Sequence, residues 1–242
     1  MDSSLDILDP AAAKNVEMWL NGNYDDHTKW EIRNILHENP KELTDAFYTH
    51  LTFGTGGLRG IMGVGTNRMN IYTVGAATQG LANYLNQQTS PAAGHAVIIG
   101  YDSRHQSRSF AEETAKIFAA NGIKVFLFNE LRPTPLVSFG CRYKQCSAGI
   151  MITASHNPPE YNGYKVYWKD GAQILPPHDK LIIQEIGKIT DTSMIKKVKD
   201  LQNPLIELIE TEIDDAYVKE TSTLQLYPKE NLENGNSLKI VY

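Results

Sequence analysis

The chain has 242 residues, a length that suits one large domain or one domain with the beginning of another, and its 41% apolar content is enough for a packed core. No stretch is long and apolar enough to span a membrane, and the acidic start Met1-Asp-Ser-Ser-Leu-Asp6 lacks the basic-then-apolar pattern of a secretory signal, so a soluble, cytoplasmic protein is expected. A formal net charge of -5 with unclustered Lys and Arg argues against a nucleic-acid surface or a polybasic membrane patch, but local arginines could still hold a compact anionic substrate. The two cysteines, Cys141 and Cys146, lack partners at zinc-site spacing and read as reduced and structural.

Pro10 to about His50 reads as helical. Pro10 suits a first turn, Val16, Trp19 and Leu20 and then Trp30, Ile32, Ile35 and Leu36 have helix-like apolar spacing, and Asn39-Pro40 breaks the run before a third short helix from Lys41 to about Thr49. Phe53-Gly-Thr-Gly-Gly-Leu-Arg-Gly60 packs four glycines into eight residues, so its backbone either turns sharply or lets something approach closely. It lacks the third glycine of a dinucleotide loop, because Arg59 stands there, and it lacks a Gly-Lys-Ser/Thr ending. A phosphate loop and a Gly-rich hairpin with a surface arginine both remain open.

A helix is predicted from Ile71 to about Gln88 and ends in the Thr89–Gly94 loop. An alternation follows: strand Ala96–Gly100, helix Ser107–Ala120, strand Lys124–Phe128, helix Pro133 to about Lys144 and strand Ala148–Ile152. Continuously apolar strands separated by such helices predict an α/β fold with a parallel sheet covered on both faces. Tyr101-Asp-Ser-Arg-His105 and Arg132-Pro-Thr-Pro135 then lie at one sheet end. Asp102 or Ser103 would cap the next helix with Arg104 solvated, or Arg104 would reach a site at that end.

Pro158 and Pro159 stop a helix from starting after Asn157, so Ser155 should sit on a tight loop beyond a strand's carboxyl end, where open α/β sheets bind ligands. Ser155, His156 and Asn157 there suit chemistry on an oxyanion, yet Ser, His and Asn before Pro also make ordinary turns. Gly163-Tyr-Lys-Val-Tyr-Trp168 alternates as an edge strand, with Tyr164, Val166 and Trp168 on one face and Lys165, Tyr167 and Lys169 on the other. A turn at Asp170-Gly171 leads to a short strand, Ala172–Leu175, and a helix from Pro176 to Ile189 with Leu181, Ile182 and Ile186 inward. A helix from Pro204 to about Tyr217, a loop at Asn231–Asn236 and a strand beginning at Ser237 complete the chain. A strand needs partners, so its position at the chain end predicts truncation at the start of a second domain.

Taken together, F-G-T-G-G-L-R-G, G-Y-D-S-R and T-A-S-H-N-P-P-E-Y-N-G-Y-K resemble the α-D-phosphohexomutases, the family of phosphoglucomutases and phosphomannomutases, from about Leu51 to Ile189. The helical extension looks like the branch containing phosphoglucomutases and phosphopentomutases. The resemblance implies a mixed, mainly parallel sheet between helices. With the residue patterns on either side, it divides the chain into a helical extension (1–50), a catalytic-serine domain (51–190), a helical linker (191–236) and the start of a second domain (237–242). It implies that Ser155 carries phosphate between C1 and C6 of a hexose by way of a hexose 1,6-bisphosphate, with Lys165 as general acid/base. His156 and Asn157 would orient the serine loop, and Arg59 and Arg104 would lie near the phosphate.

The resemblance further implies Mg²⁺ on a phosphoserine oxygen. The family's three aspartate ligands come from a D-G-D-x-D-R loop of the second domain, and no such loop occurs here. A hexose phosphate and domains two to four of a parent chain are the expected partners, and negligible activity is expected of the 242 residues alone. A slow phosphatase fragment and a non-enzymatic module that binds a sugar phosphate or a partner domain are the other readings.

Overall fold

The computed structural model describes residues 3–239 and 241, apart from 55, 90 and 93. Helices α1 (Pro10–Asn21), α2 (Asp26–Glu38) and α3 (Pro40–Phe47) open the chain. The side chains of Asp9, Asp25 and Asn39 accept N–H groups of the first turns, and Pro10 and Pro40 begin helices where no N–H partner is needed. Val16 and Trp19, Ile32, and Leu43 and Phe47 bring the three helices around a small core of their own. Trp30 points outward, 57% exposed, because it lies two positions from Ile32 and therefore across the helix. Arg68 binds Asp45 at 2.6 Å and Tyr72 binds Asp25, fastening this unit to the following chain.

Next come β1 (Gly57–Ile61), α4 (Ile71–Gln87), β2 (Ala96–Tyr101), α5 (Ser107–Ala120), β3 (Lys124–Phe128), α6 (Thr134–Tyr143) and β4 (Ala148–Ile152). They are followed by β5 (Tyr161–Trp168), α7 (His178–Gly187), β6 (Ile206–Ile209), α8 (Glu212–Ser222) and α9 (Pro228–Asn234). Among the described residues the strands form one sheet in the order β1-β5-β4-β2-β3-β6. β4, β2, β3 and β6 run parallel, while β5 is antiparallel to both β4 and β1. Helices α4, α5 and α7 cover one face through Leu81, Phe110, Phe118 and Ile182, and α6 and α8 cover the other through Val137 and Ile213. The fold is α/β, with a mixed, mainly parallel sheet between helices.

Several predicted elements are corrected. β5 is not an edge strand: Tyr164 and Val166 pack into one core and Tyr167 into the other, and half of the glycine-rich stretch forms β1 outside it. The strand predicted at Ala172–Leu175 is reduced to a single bridge between Tyr167 and Gln173. Leu181 lies outward at 38% exposure, one position from the buried Ile182.

The helix predicted from Pro204 is replaced by β6 and the later α8, so the segment expected to be a helical linker completes the main sheet. The apolar spacing of Leu205, Leu208 and Ile209 suits a helix, but the open edge of β3 offers a ladder of backbone groups that an extended segment satisfies. The loop predicted at Asn231–Asn236 is instead the end of α9 and the beginning of a 3-10 turn, Gly235–Ser237. Of the strand predicted from Ser237, Ile240 and Tyr242 lie outside the described residues.

Candidate active site

β2 is followed in sequence by β3 on one side and then by β4 on the other. The order reverses between β2 and β4, and a crevice at the carboxyl ends of such strands is the usual ligand site of an open α/β sheet. Beyond β2 lies the Asp102–Gln106 loop, and beyond β4 the loop that carries Ser155. A cleft of ≈ 380 Å³ opens between them, with Arg104, Ser155 and Asn157 in its wall.

The Ser155 turn is tightly specified. Thr153 N–H donates to the Gly163 carbonyl at 3.0 Å, the Thr153 hydroxyl accepts from Ser155 N–H at 2.9 Å, and Asn157 N–H closes the turn on Ala154 O at 3.1 Å. Ser155 has φ +57°, a left-handed conformation that costs a non-glycine residue about 1–2 kcal/mol and leaves its side chain exposed. Lys165 on β5 donates from Nζ to Ser155 Oγ at 2.7 Å. Burial pushes the Lys165 pKa down, the Arg59 charge pushes it further in the same direction, and Asp102 opposes both. A lysine held below its ordinary value beside a hydroxyl can exchange a proton with it.

Arg59 reaches the site through close backbone packing. Gly54 and Gly57 exchange both backbone hydrogen bonds, so the hairpin reading describes this stretch; Thr55 lies outside the described residues. A Cβ on Gly57 would stand 1.8 Å from the Tyr164 carbonyl, so glycine lets β1 lie against β5. Arg59 then faces Gly163 across the ladder, and its Nη1 donates to Asn157 Oδ1 at 3.1 Å. Asn157 thus acts as an acceptor here. His156 is exposed, and its ring makes no hydrogen bond among the described residues.

Arg104 is not solvated: it lines the cleft beside Ser155 and binds backbone carbonyls there. Its Nη1 donates to Pro158 O and Tyr161 O at 2.9 and 3.1 Å, and its Nη2 to Ser155 O and Asn157 O at 2.8 and 2.7 Å. Asp102 does not accept from the α5 backbone as a cap, and the Gln106 cap position makes no side-chain bond. Asp102 instead accepts from Arg104 N–H at 3.1 Å and the Ser107 hydroxyl at 2.8 Å.

Three residues escaped the sequence reading: Thr153, Ser107 and Asn162. Asn162 is fully buried, donates to Ser107 Oγ and His105 O, both at 3.0 Å, and accepts from Gly163 N–H at 2.7 Å. A polar amide inside a strand with buried residues on both faces is the signal that could have found it.

Ser155 supplies a single hydroxyl, and no group of three His, Cys, Asp or Glu able to hold a metal stands together among the described residues. The donor set of the described residues does not fit Mg²⁺ by itself.

The chain is thus a layered α/β/α unit with a lysine-paired serine at its switch point. The family model described as phosphoglucomutase/phosphomannomutase, alpha/beta/alpha domain I, matches residues 50–193, and the chain belongs to that family. It is 41% identical over 200 residues to the phosphopentomutase of Homo sapiens, covering 77% of this chain and 33% of that protein. It is 38% identical over 226 residues to the glucose 1,6-bisphosphate synthase of Mus musculus, covering 86% of this chain and 36% of that protein. A solved structure of a Thermus thermophilus protein assigned as a phosphomannomutase superposes with a TM-score of 0.62 at 26% identity, over 73% of this chain and 36% of that one. These relatives place the chain in the phosphoglucomutase/phosphopentomutase-like branch of that family. It spans about a third of the length of the curated relatives it matches.

Proposed function

We propose that the chain is the catalytic-serine domain of a mutase that interconverts hexose 1-phosphate and 6-phosphate, with glucose as the favoured sugar, through phosphorylated Ser155 and a hexose 1,6-bisphosphate. The observation that carries this reading is the 2.7 Å hydrogen bond from Lys165 Nζ to Ser155 Oγ on an exposed, left-handed turn. Neutral Lys165 takes the hydroxyl proton as Oγ attacks phosphorus of the bisphosphate and the P–O bond to the sugar oxygen breaks, and it returns that proton to Oγ when the phosphoryl group passes to a sugar hydroxyl and the Oγ–P bond breaks. Arg59 lies one residue's reach away and supplies positive charge to the incoming phosphate. Mg²⁺ belongs to the proposal as a requirement of the longer parent, in which further domains would provide its remaining ligands.

Alone, the chain has negligible turnover, because a single cleft wall cannot hold both ends of a bisphosphate while it reorients. Robust conversion of glucose 1-phosphate by the purified 242-residue chain would contradict that statement. The relative named phosphopentomutase favours a second reading, transfer between C1 and C5 of a pentose. Incubation with hexose 1,6-bisphosphate or ribose 1,5-bisphosphate separates the two: faster phosphorylation of Ser155 by the hexose compound supports the first, and by the pentose compound the second. Localisation in the cytoplasm belongs to the same proposal; among the described residues no helix is long and apolar enough to cross a membrane.

A further inference from the structure

We propose that Arg104 is a positioning residue: oriented by Asp102, its guanidinium holds the Ser155 loop in its left-handed turn by binding three loop carbonyls and that of the first β5 residue, and it does not serve as a ligand for substrate phosphate. The proposal deepens the reading of Ser155 as phosphate carrier and rests on it for its functional consequence.

A guanidinium has five N–H donors. In Arg104 the four on Nη1 and Nη2 bind the carbonyls of Pro158, Tyr161, Ser155 and Asn157 at 2.7–3.1 Å, and Nε faces Asp102 Oδ2 at 3.4 Å. Binding a phosphate would mean releasing the loop. Arg59 differs, since it touches the loop through one Nη1 alone.

The Arg104 side chain is 13% exposed, and Asp102 at 25% is itself held by the Ser107 hydroxyl. Ser107 accepts from the buried Asn162, which grips the Gly163 backbone on the strand leaving the loop. Both ends of the serine turn are therefore tied to the loop after β2: its carbonyls through Arg104, its exit strand through Asn162. A lysine cannot replace the fork, because an ammonium is a point charge with three donors and cannot span four carbonyls.

Hydrogen–deuterium exchange on wild-type protein, Arg104→Lys and Arg59→Gln tests this without relying on turnover. For Arg104→Lys, exchange at residues 153–161 is expected to rise by about tenfold or more while β2 and β4 amides keep their protection. NMR titration of Lys165 is expected to move toward the ordinary lysine value as the loop loosens. Arg59→Gln is expected to leave loop exchange at the wild-type level. Unchanged loop exchange in Arg104→Lys would overturn the proposal.

With hexose 1,6-bisphosphate as phosphoryl donor, Arg104→Lys is expected to lower the maximal rate of Ser155 phosphorylation and leave half-saturation unchanged; a rise in half-saturation alone would mark a phosphate ligand and overturn the proposal. If wild-type protein takes no phosphate, the carrier reading fails, and the exchange data still decide the positioning role. Should Arg104→Lys lose β2 and β4 protection, Asp102→Asn replaces it. That variant keeps an oxygen for Ser107 and removes the charge facing Nε, and a several-fold rise in loop exchange supports the proposal while none overturns it.

Discussion

Under the proposed function, Lys165 and Arg59 set the pH at which Ser155 can act. In the proposed reaction Ser155 attacks only while Lys165 is neutral, so phosphorylation should accelerate with rising pH through the Lys165 pKa and level off above it. Burial and Arg59 place that midpoint below the ordinary lysine value of 10.5. Arg59→Gln removes one of the lowering causes, so the midpoint is predicted to move to higher pH in a rate–pH profile of Ser155 phosphorylation. An unmoved midpoint would separate Arg59 from the Lys165 charge. The sequence made Ser155, Lys165 and Arg59 legible because their motifs resemble a known family. The hydrogen bonds of Arg104 were not legible, because nothing in Tyr101-Asp-Ser-Arg-His105 reveals that four carbonyls between Ser155 and Tyr161 face that side chain.

At the scale of elements, the site depends on how closely β5 can approach its neighbours. A Cβ on Gly163 would stand 2.6 Å from Thr153 O and 2.9 Å from Leu58 O, backbone atoms on both flanks. Gly163→Ala is therefore predicted to destabilise by about 1–3 kcal/mol in denaturant unfolding and to disturb the Ser155 turn through Thr153. The N-terminal helices carry a separate acid sensitivity. The Tyr72 hydroxyl, and next the Thr28 groups, hold the Asp25 carboxyl at about 2, below its ordinary 3.8, with burial opposing them.

Because the folded value is the lower one, Asp25 contributes stability that is present above about 3.8 and lost as pH falls through about 2. Asp25→Asn is predicted to flatten the loss of stability across that window, as followed by acid titration of helix content. The continuous apolar strands and their helices were readable from the sequence. β6 was not, because Leu205, Leu208 and Ile209 fit a helix as well as a strand, and only the open edge of β3 decides between them.

Across the whole molecule, one sheet places the loops after β2 and β4 side by side, and β5 returns antiparallel to bring Lys165 beneath Ser155. The α/β class followed from the alternation of strands and helices, but the position of β5 inside the sheet did not. Its alternating pattern resembles an edge strand until β1 is known to pair with it. The central claim is that Ser155 is the group that carries phosphate, and mass spectrometry of the peptide containing Ser155 after incubation with hexose 1,6-bisphosphate tests it most directly. One phosphate on Ser155, absent from Ser155→Ala and formed much more slowly in Lys165→Ala, is the predicted result. An unmodified Ser155, or a phosphate located on another residue, would contradict the account.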